Sequence, residues 1–335
     1  MTGASPSAEP AAAPRRSSRK RLLDVVRVVV LVVILLAVGI ALWRNWDAVR
    51  GDIGRIGPAS LVAAVLLSLA SPFLTVCGWR VLMADLGSRL HIAPASGVFF
   101  VGQLGKYLPG SVWSVVVQAD MAKGLGVPRS RTAVIGLLTI MISALTGMIA
   151  GLPALPALLT REAGAVPPWA IVAVILALAV LLWPPLLNRG IRTAMRLLRR
   201  DPLPHDLTPA AVGLSALWFT LSWGAGGLAV WVMARSVAPA GYDGWHLLLV
   251  SVSGYLLAAG IGMFSFIVPA GVGVRDGVLV LLLATSMPVA AATAVVVVSR
   301  FLTVVADVAW AGAGWLWGRT HHLLPDRRPR MDDHV

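Results

Sequence analysis

Seven stretches of this chain carry no Asp, Glu, Lys or Arg: residues 28–43, 58–79, 132–160, 163–188, 207–234, 244–274 and 277–299. About 20 apolar residues in a helix cover the ~30 Å hydrocarbon layer of a bilayer, so runs of this length and number point to a bundle of membrane-crossing helices. Of 335 residues, 58% are hydrophobic and 13% charged, about half the charged share of an ordinary soluble domain. The surplus of 28 Lys and Arg over 15 Asp and Glu gives +13. In a soluble chain that balance would suggest nucleic acid. With a mean hydropathy of +0.82 it suggests a membrane surface instead, and no nucleic-acid partner is expected. The single cysteine, Cys77, excludes an intramolecular disulfide framework and any Cys-x-x-Cys metal, haem or redox motif.

The first run reaches spanning length once Val25, Val26 and a snorkelling Arg27 are added. A signal peptide is the competing reading, but the basic arm (Arg15, Arg16, Arg19, Lys20, Arg21) is long and no clear small-residue cleavage site follows. Residues 1–24 are therefore expected to form a disordered basic arm, 25–318 the transmembrane domain and 319–335 a polar tail. Two regions, 92–121 and 245–287, fit badly as plain spans, because a Pro-Gly or Pro-Ala-Gly break interrupts each. In the first, GQLGKYLPGSVWSVVVQADM breaks at Pro109 and Gly110 and leaves arms short for two crossings. A broken helix frees backbone groups that hydrocarbon cannot satisfy, so the break must be buried in protein or line a wet cavity.

Treating both regions as re-entrant hairpins leaves six full spans with both termini cytoplasmic. Twenty Lys and Arg then lie on the cytoplasmic side and five outside, the asymmetry of the positive-inside rule. Eight full spans give the same termini, and the sequence does not separate six-plus-two from eight. The expected location is the plasma membrane.

Shifting the chain by 160 residues superposes the two broken regions: Gly102 falls on Gly262, Pro109 on Pro269, Val112 on Val272 and Pro128 on Pro288. Three full spans separate the copies, so the hairpins enter from opposite sides. Inverted repeats with broken helices meeting near the midplane are an architecture of alternating-access carriers. The expected fold class is thus all-α, a polytopic transmembrane bundle with an inverted repeat.

Lys106, Arg275 and Arg300 lie in membrane sequence. A lipid-facing cation costs about 2.5–3.5 kcal/mol, so the three together would cost on the order of 8–10 kcal/mol, and they are expected to face a cavity. One reading makes them ligands for a headgroup phosphate, helped by half-helix N-termini beginning near Ser111 and Gly271. The other is internal neutralisation, since Asp276 adjoins Arg275 and Asp307 lies two helical turns beyond Arg300. Both stay open. Tyr107 and Trp113, flanking the first break, line a lipid-tail groove or simply pack the hairpin. GVGVRDG over 271–277 has the wrong spacing for a dinucleotide fingerprint and no strand before it, so its glycines are read as freedom at a tight turn. RGIRTAMRLLRR sets Arg189, Arg192, Arg196 and Arg199 opposite Ile191, Met195 and Leu198, the pattern of an interfacial helix. His321 and His322 have no ligand partner at metal spacing, and neither a metal nor another cofactor is expected.

GKYLPGSVW with the following QADMAKGLGVPRSRTA, and IVPAGVGVRDGVLVLLL with Arg300 in the next span, make the chain similar to the flippase-like membrane-domain family of lysylphosphatidylglycerol synthases over roughly residues 25–318. Asp276 stands where that family usually has Glu, and Gln118 where an arginine often follows the first Pro-Gly. The resemblance implies movement of an anionic phospholipid or polyprenyl-linked lipid between leaflets, with Lys106, Pro109, Gly110, Arg275, Asp276, Arg300 and Asp307 at the substrate. The family's soluble transferase domain would follow the membrane part, and the sequence ends at Val335, so aminoacyl transfer is not expected. Two other classes stay open. An embedded transferase would need acids or bases, for which Asp120, Asp276 and Asp307 are the candidates. A non-transporting subunit would instead anchor a partner protein of envelope synthesis.

Overall fold

The computed structural model describes residues 54, 56–107, 113–159, 167–197, 199–239, 244–263 and 273–320. The basic arm, the first apolar run, the prolines and glycines of both breaks (Pro109, Gly110, Pro269, Gly271) and the tail from 321 lie outside these residues. Every described element is a helix. In chain order they are α1 (Pro58–Asp85), α2 (Ile92–Gln103) with a 3-10 turn at Leu104–Tyr107, α3 (Trp113–Lys123) and α4 (Arg129–Gly151), which continues through a 3-10 turn into α5 (Leu155–Leu159). They continue with α6 (Pro168–Leu181), α7 (Pro184–Leu197), α8 (Pro209–Val237), α9 (Trp245–Met263), α10 (Val274–Leu283) and α11 (Val289–Thr320).

Helices α1, α4 with its extension, α8, α9 and α11 are each long and apolar enough to cross a membrane. Composition and packing together define an all-α polytopic membrane bundle. The uncharged run 163–188, expected as one straight span, is instead two helices bent by 49° between α6 and α7. Pro184 and Pro185 explain the bend: neither has an N–H to give, and a proline disfavours the helical conformation of the residue before it. No residue of α6 is buried, so its apolar side chains all face outward, with Trp169 and Trp183 exposed at its two ends, where aromatic rings suit a membrane interface.

The broken regions are not equal. In the first, α2 and α3 have 12 and 11 residues, too few to span. In the second, α9 has 19 residues and α10 only 10, so one arm reaches spanning length. Their boundaries nonetheless repeat: α2 ends at Gln103 and α9 at Met263, α4 begins at Arg129 and α11 at Val289, each pair 160 apart. The packing is reciprocal. The first hairpin's α2 lies on α11, the second hairpin's α9 lies on α4, and α1 and α8 pair along their length between them. Exchange of arms in this manner is what a pseudo-twofold relation between the copies produces. Two hydrophobic cores result, one centred on Trp79, Phe99 and Ile135 and one on Val250, Leu257 and Leu282.

Small residues set how closely these helices approach. A β-carbon at Gly151 would fall on the backbone nitrogen of Leu257, and one at Gly260 would lie 2.9 Å from the Ala144 carbonyl. Gly147 and Gly151 form a Gly-xxx-Gly face on α4, the spacing that lets membrane helices meet backbone to backbone.

At the end of the bundle where α1 stops, polar bonds tie four elements together. Asp85 accepts from the N–H and hydroxyl of Thr208 at 2.8 and 2.9 Å. Arg131 donates to the Gly87 carbonyl and the Ser88 hydroxyl, and Asn188 makes two 2.9 Å bonds with the backbone of Leu207. The last pair holds α7 against the bundle with Met195 and Leu187 inward and Arg189, Arg192 and Arg196 outward, the interfacial helix expected from the sequence. Arg199 falls beyond its end, with φ at 50°; Leu198 lies outside the described side chains.

Candidate functional site

A cavity of about 190 Å³ opens where α1, α2, α3, α4, α8, α9, α10 and α11 converge, far above the ~10–15 Å³ one water needs. Four of the seven residues singled out from the sequence line it: Lys106, Arg275, Arg300 and Asp307. The chain brings them there from the two repeats. Lys106 ends the 3-10 turn after α2, Arg275 sits in the first turn of α10, and Arg300 and Asp307 share one face of α11 two turns apart.

Asp307 has only 3% of its side chain exposed. Its Oδ2 accepts from Lys106 Nζ at 2.7 Å and from the Tyr107 hydroxyl at 2.5 Å, so the ion pair on this carboxylate comes from the other repeat. The Arg300 spacing that suggested a pair within α11 is not what closes on it. Tyr107, whose packing role and groove role were both open, is a hydrogen-bond donor to the charged centre. Arg300 is 9% exposed. Arg275 lays its guanidinium 4.6 Å over the Tyr255 ring, a cation–π contact that strengthens as water is excluded, and its buried Nε has no hydrogen-bond partner.

Asp276 has a different job from the one its neighbour suggested. It is absent from the described cavity lining, and its Oδ2 accepts from the Gly273 N–H at 3.3 Å. This caps the start of α10, where Gly273 has φ at 89°, a left-handed conformation that glycine adopts without cost. A carboxylate there also offsets the positive helix end that was expected to attract an anion. Asp120 pairs instead with Arg129, with both side chains more than half exposed. Pro109 and Gly110 lie outside the described residues.

The sequence reading missed the rest of the wall. Ser71, Thr75, Thr139, Ser222, Ser299 and Thr303 all face the cavity. Thr139 donates to the Ile135 carbonyl at 2.8 Å, Ser299 to Val296 at 2.8 Å and Thr303 to Ser299 at 2.8 Å. Ser222 donates to the Ser71 carbonyl at 2.7 Å and lies 2.7 Å from the Thr75 hydroxyl across the α1–α8 pair. The amides of Gln103 and Gln118 and the rings of Trp223 and Tyr255 complete the lining. Three cations against one carboxylate leave the described wall with two positive charges in excess.

An all-helical membrane bundle with a polar, cationic cavity between two broken-helix repeats is thus the class that fold and site define. The family model described as "Lysylphosphatidylglycerol synthase TM region" matches residues 25–311, and the chain belongs to that family. No curated protein matches it. The chain is therefore a multi-pass membrane protein of a lipid-related family.

Proposed function

We propose that the protein is a lipid carrier whose central cavity receives the anionic headgroup of a phospholipid or polyprenyl-linked lipid and moves it between leaflets. The observation that carries the reading is the buried Arg275, whose Nε points into a cavity with two excess positive charges and no partner. Unmatched cationic donors inside a membrane protein are costly, and a phosphate is the group whose geometry and charge suit a guanidinium. No catalysis is assigned to the chain. The lining carboxylate of Asp307 is held by Lys106 and Tyr107, which leaves it poorly placed as an acid or base.

The test is reconstitution in liposomes carrying fluorescent lipids of different headgroups. Arg275→Gln is expected to slow movement of an anionic lipid about tenfold or more, the scale of a lost charge-assisted bond, while folded yield changes far less. Correctly folded protein that moves no lipid of any headgroup would overturn the carrier and favour a non-transporting subunit. Orientation is tested separately. In a Cys77→Ser background, Arg196→Cys should react with an impermeant maleimide from the cytoplasmic side alone, and external labelling would reverse the topology.

A further inference from the structure

Resting on that carrier reading, the hydroxyl wall narrows the ligand. We propose that the cavity selects a lipid whose phosphate bears an uncharged polyol or sugar, and discriminates against headgroups ending in an ammonium, the aminoacylated lipid of the family's name included.

Two features of the wall carry this. The first is charge. Asp307 is the one carboxylate lining the cavity among the described residues, and the oxygen it turns to Lys106 and Tyr107 is already doubly bonded. Lys106 is thereby neutralised, which leaves Arg275 and Arg300 as the charge excess. A phosphate satisfies that excess; an ammonium on the same headgroup brings a further cation into a space where like charges are weakly screened. The Tyr255 ring does not offset this, because Arg275 covers its face.

The second feature is hydrogen-bond polarity. A serine or threonine hydroxyl has one proton to give and two lone pairs to accept with. At Thr139, Ser222, Ser299 and Thr303 the proton goes to a backbone carbonyl of the helix or of its neighbour. What these side chains hold out is acceptor capacity, so the wall calls for a ligand that brings donors without bringing positive charge. Polyol and sugar hydroxyls meet that demand. The arrangement also places the two functions together, since Ser299 and Thr303 flank Arg300 on one face of α11.

The experiment uses the purified full chain in detergent, offered an equimolar mixture of five lipids with identical acyl chains, with retained lipid read by native mass spectrometry. The lipids are phosphatidylinositol, phosphatidylglycerol, phosphatidic acid, phosphatidylethanolamine and lysyl-phosphatidylglycerol. Phosphatidylinositol and phosphatidylglycerol are expected to be retained about tenfold over the two ammonium lipids, and phosphatidylinositol about fivefold over phosphatidic acid, on the scale of one to two hydrogen bonds. Thr303→Val should lower the ratio of phosphatidylinositol to phosphatidic acid about fivefold. Thr139→Val on α4 gives the same reading from another helix if the first variant folds poorly. Equal retention of lysyl-phosphatidylglycerol and phosphatidylglycerol would overturn the selectivity while leaving the carrier intact. Equal retention of phosphatidylinositol and phosphatidic acid, unmoved by either variant, would mean that the phosphate alone is read. Retention of none of the five would overturn the lipid-binding cavity and the selectivity with it.

Discussion

Asp307→Ala is expected to remove about 3 kcal/mol of stability and to deplete the folded protein, on the scale of breaking a buried ion pair by deleting one partner. Two groups lose their acceptor at once: the Lys106 ammonium and the Tyr107 hydroxyl. Lys106 keeps 29% of its side chain exposed and so retains part of its hydration, which places the loss at the low end of the range of about 3–5 kcal/mol. Tyr107 is 5% exposed and its orphaned hydroxyl adds about 1–3 kcal/mol before any rearrangement. The measurement is monodisperse yield and thermal midpoint by size-exclusion chromatography. Pairing Asp307→Asn with Lys106→Met should restore most of the yield, because it removes the unbalanced charge. Lipid movement separates the roles further: if it stays lost in that double variant, Lys106 or Asp307 contributes to passage beyond its contribution to folding. Wild-type yield from Asp307→Ala alone would mean that the carboxylate is not the buried anchor described above.

The second large effect belongs to packing. Gly151→Ala places a methyl on the backbone nitrogen of Leu257, and a backbone cannot rotate aside as a side chain can. Overpacking of this kind costs about 1–3 kcal/mol and occasionally more; here we expect the upper part of the range, since α4 and α9 would have to separate along a whole Gly-xxx-Gly face. Gly190→Ala is the control. Nothing lies within 4 Å of the β-carbon it adds to α7, and alanine favours the helix by up to about 1 kcal/mol over glycine. Opposite signs for these two glycine-to-alanine changes, read as thermal midpoints, are the expected result. A neutral Gly151→Ala would mean that the α4–α9 contact is looser than the structure has it.

These residues also show what could be read from the sequence. Lys106, Arg275, Arg300 and Asp307 were legible because a charge in a membrane segment demands a reason, and the reason is usually a cavity. Their pairing was not. Within one helix the eye finds Arg300 and Asp307, but Lys106 reaches Asp307 only because the first hairpin packs on α11. The hydroxyls escaped notice for the opposite reason: a serine or threonine in a membrane helix bonds its own backbone and needs no explanation, so Thr139 or Thr303 announces nothing until seven other helices surround it. Two signals were present and passed over. Gly273 followed three residues later by Asp276 is the spacing of a helix start, and Pro184–Pro185 marked the bend that counting uncharged residues overlooked. The repeat was legible in four matched positions. The unequal arms were not, because apolar content alone does not say where a helix stops.

Gly102 and Gly262 are seats for the opposing arm. A β-carbon on Gly102 would meet the Gln118 side chain, and one on Gly262 would lie 2.9 Å from Arg275 Cβ. The two halves thus offer matching seats to unlike occupants, a neutral amide in one and a cation in the other. An anion crossing the molecule meets a lopsided potential, deeper toward the second half, whichever leaflet it left. Such a profile changes how long the anion dwells and which segment of the passage is slowest. It does not change where the lipid ends up: without an external energy source, a pathway that quickens one direction quickens the other equally, and the leaflets settle at the ratio the bilayer itself dictates.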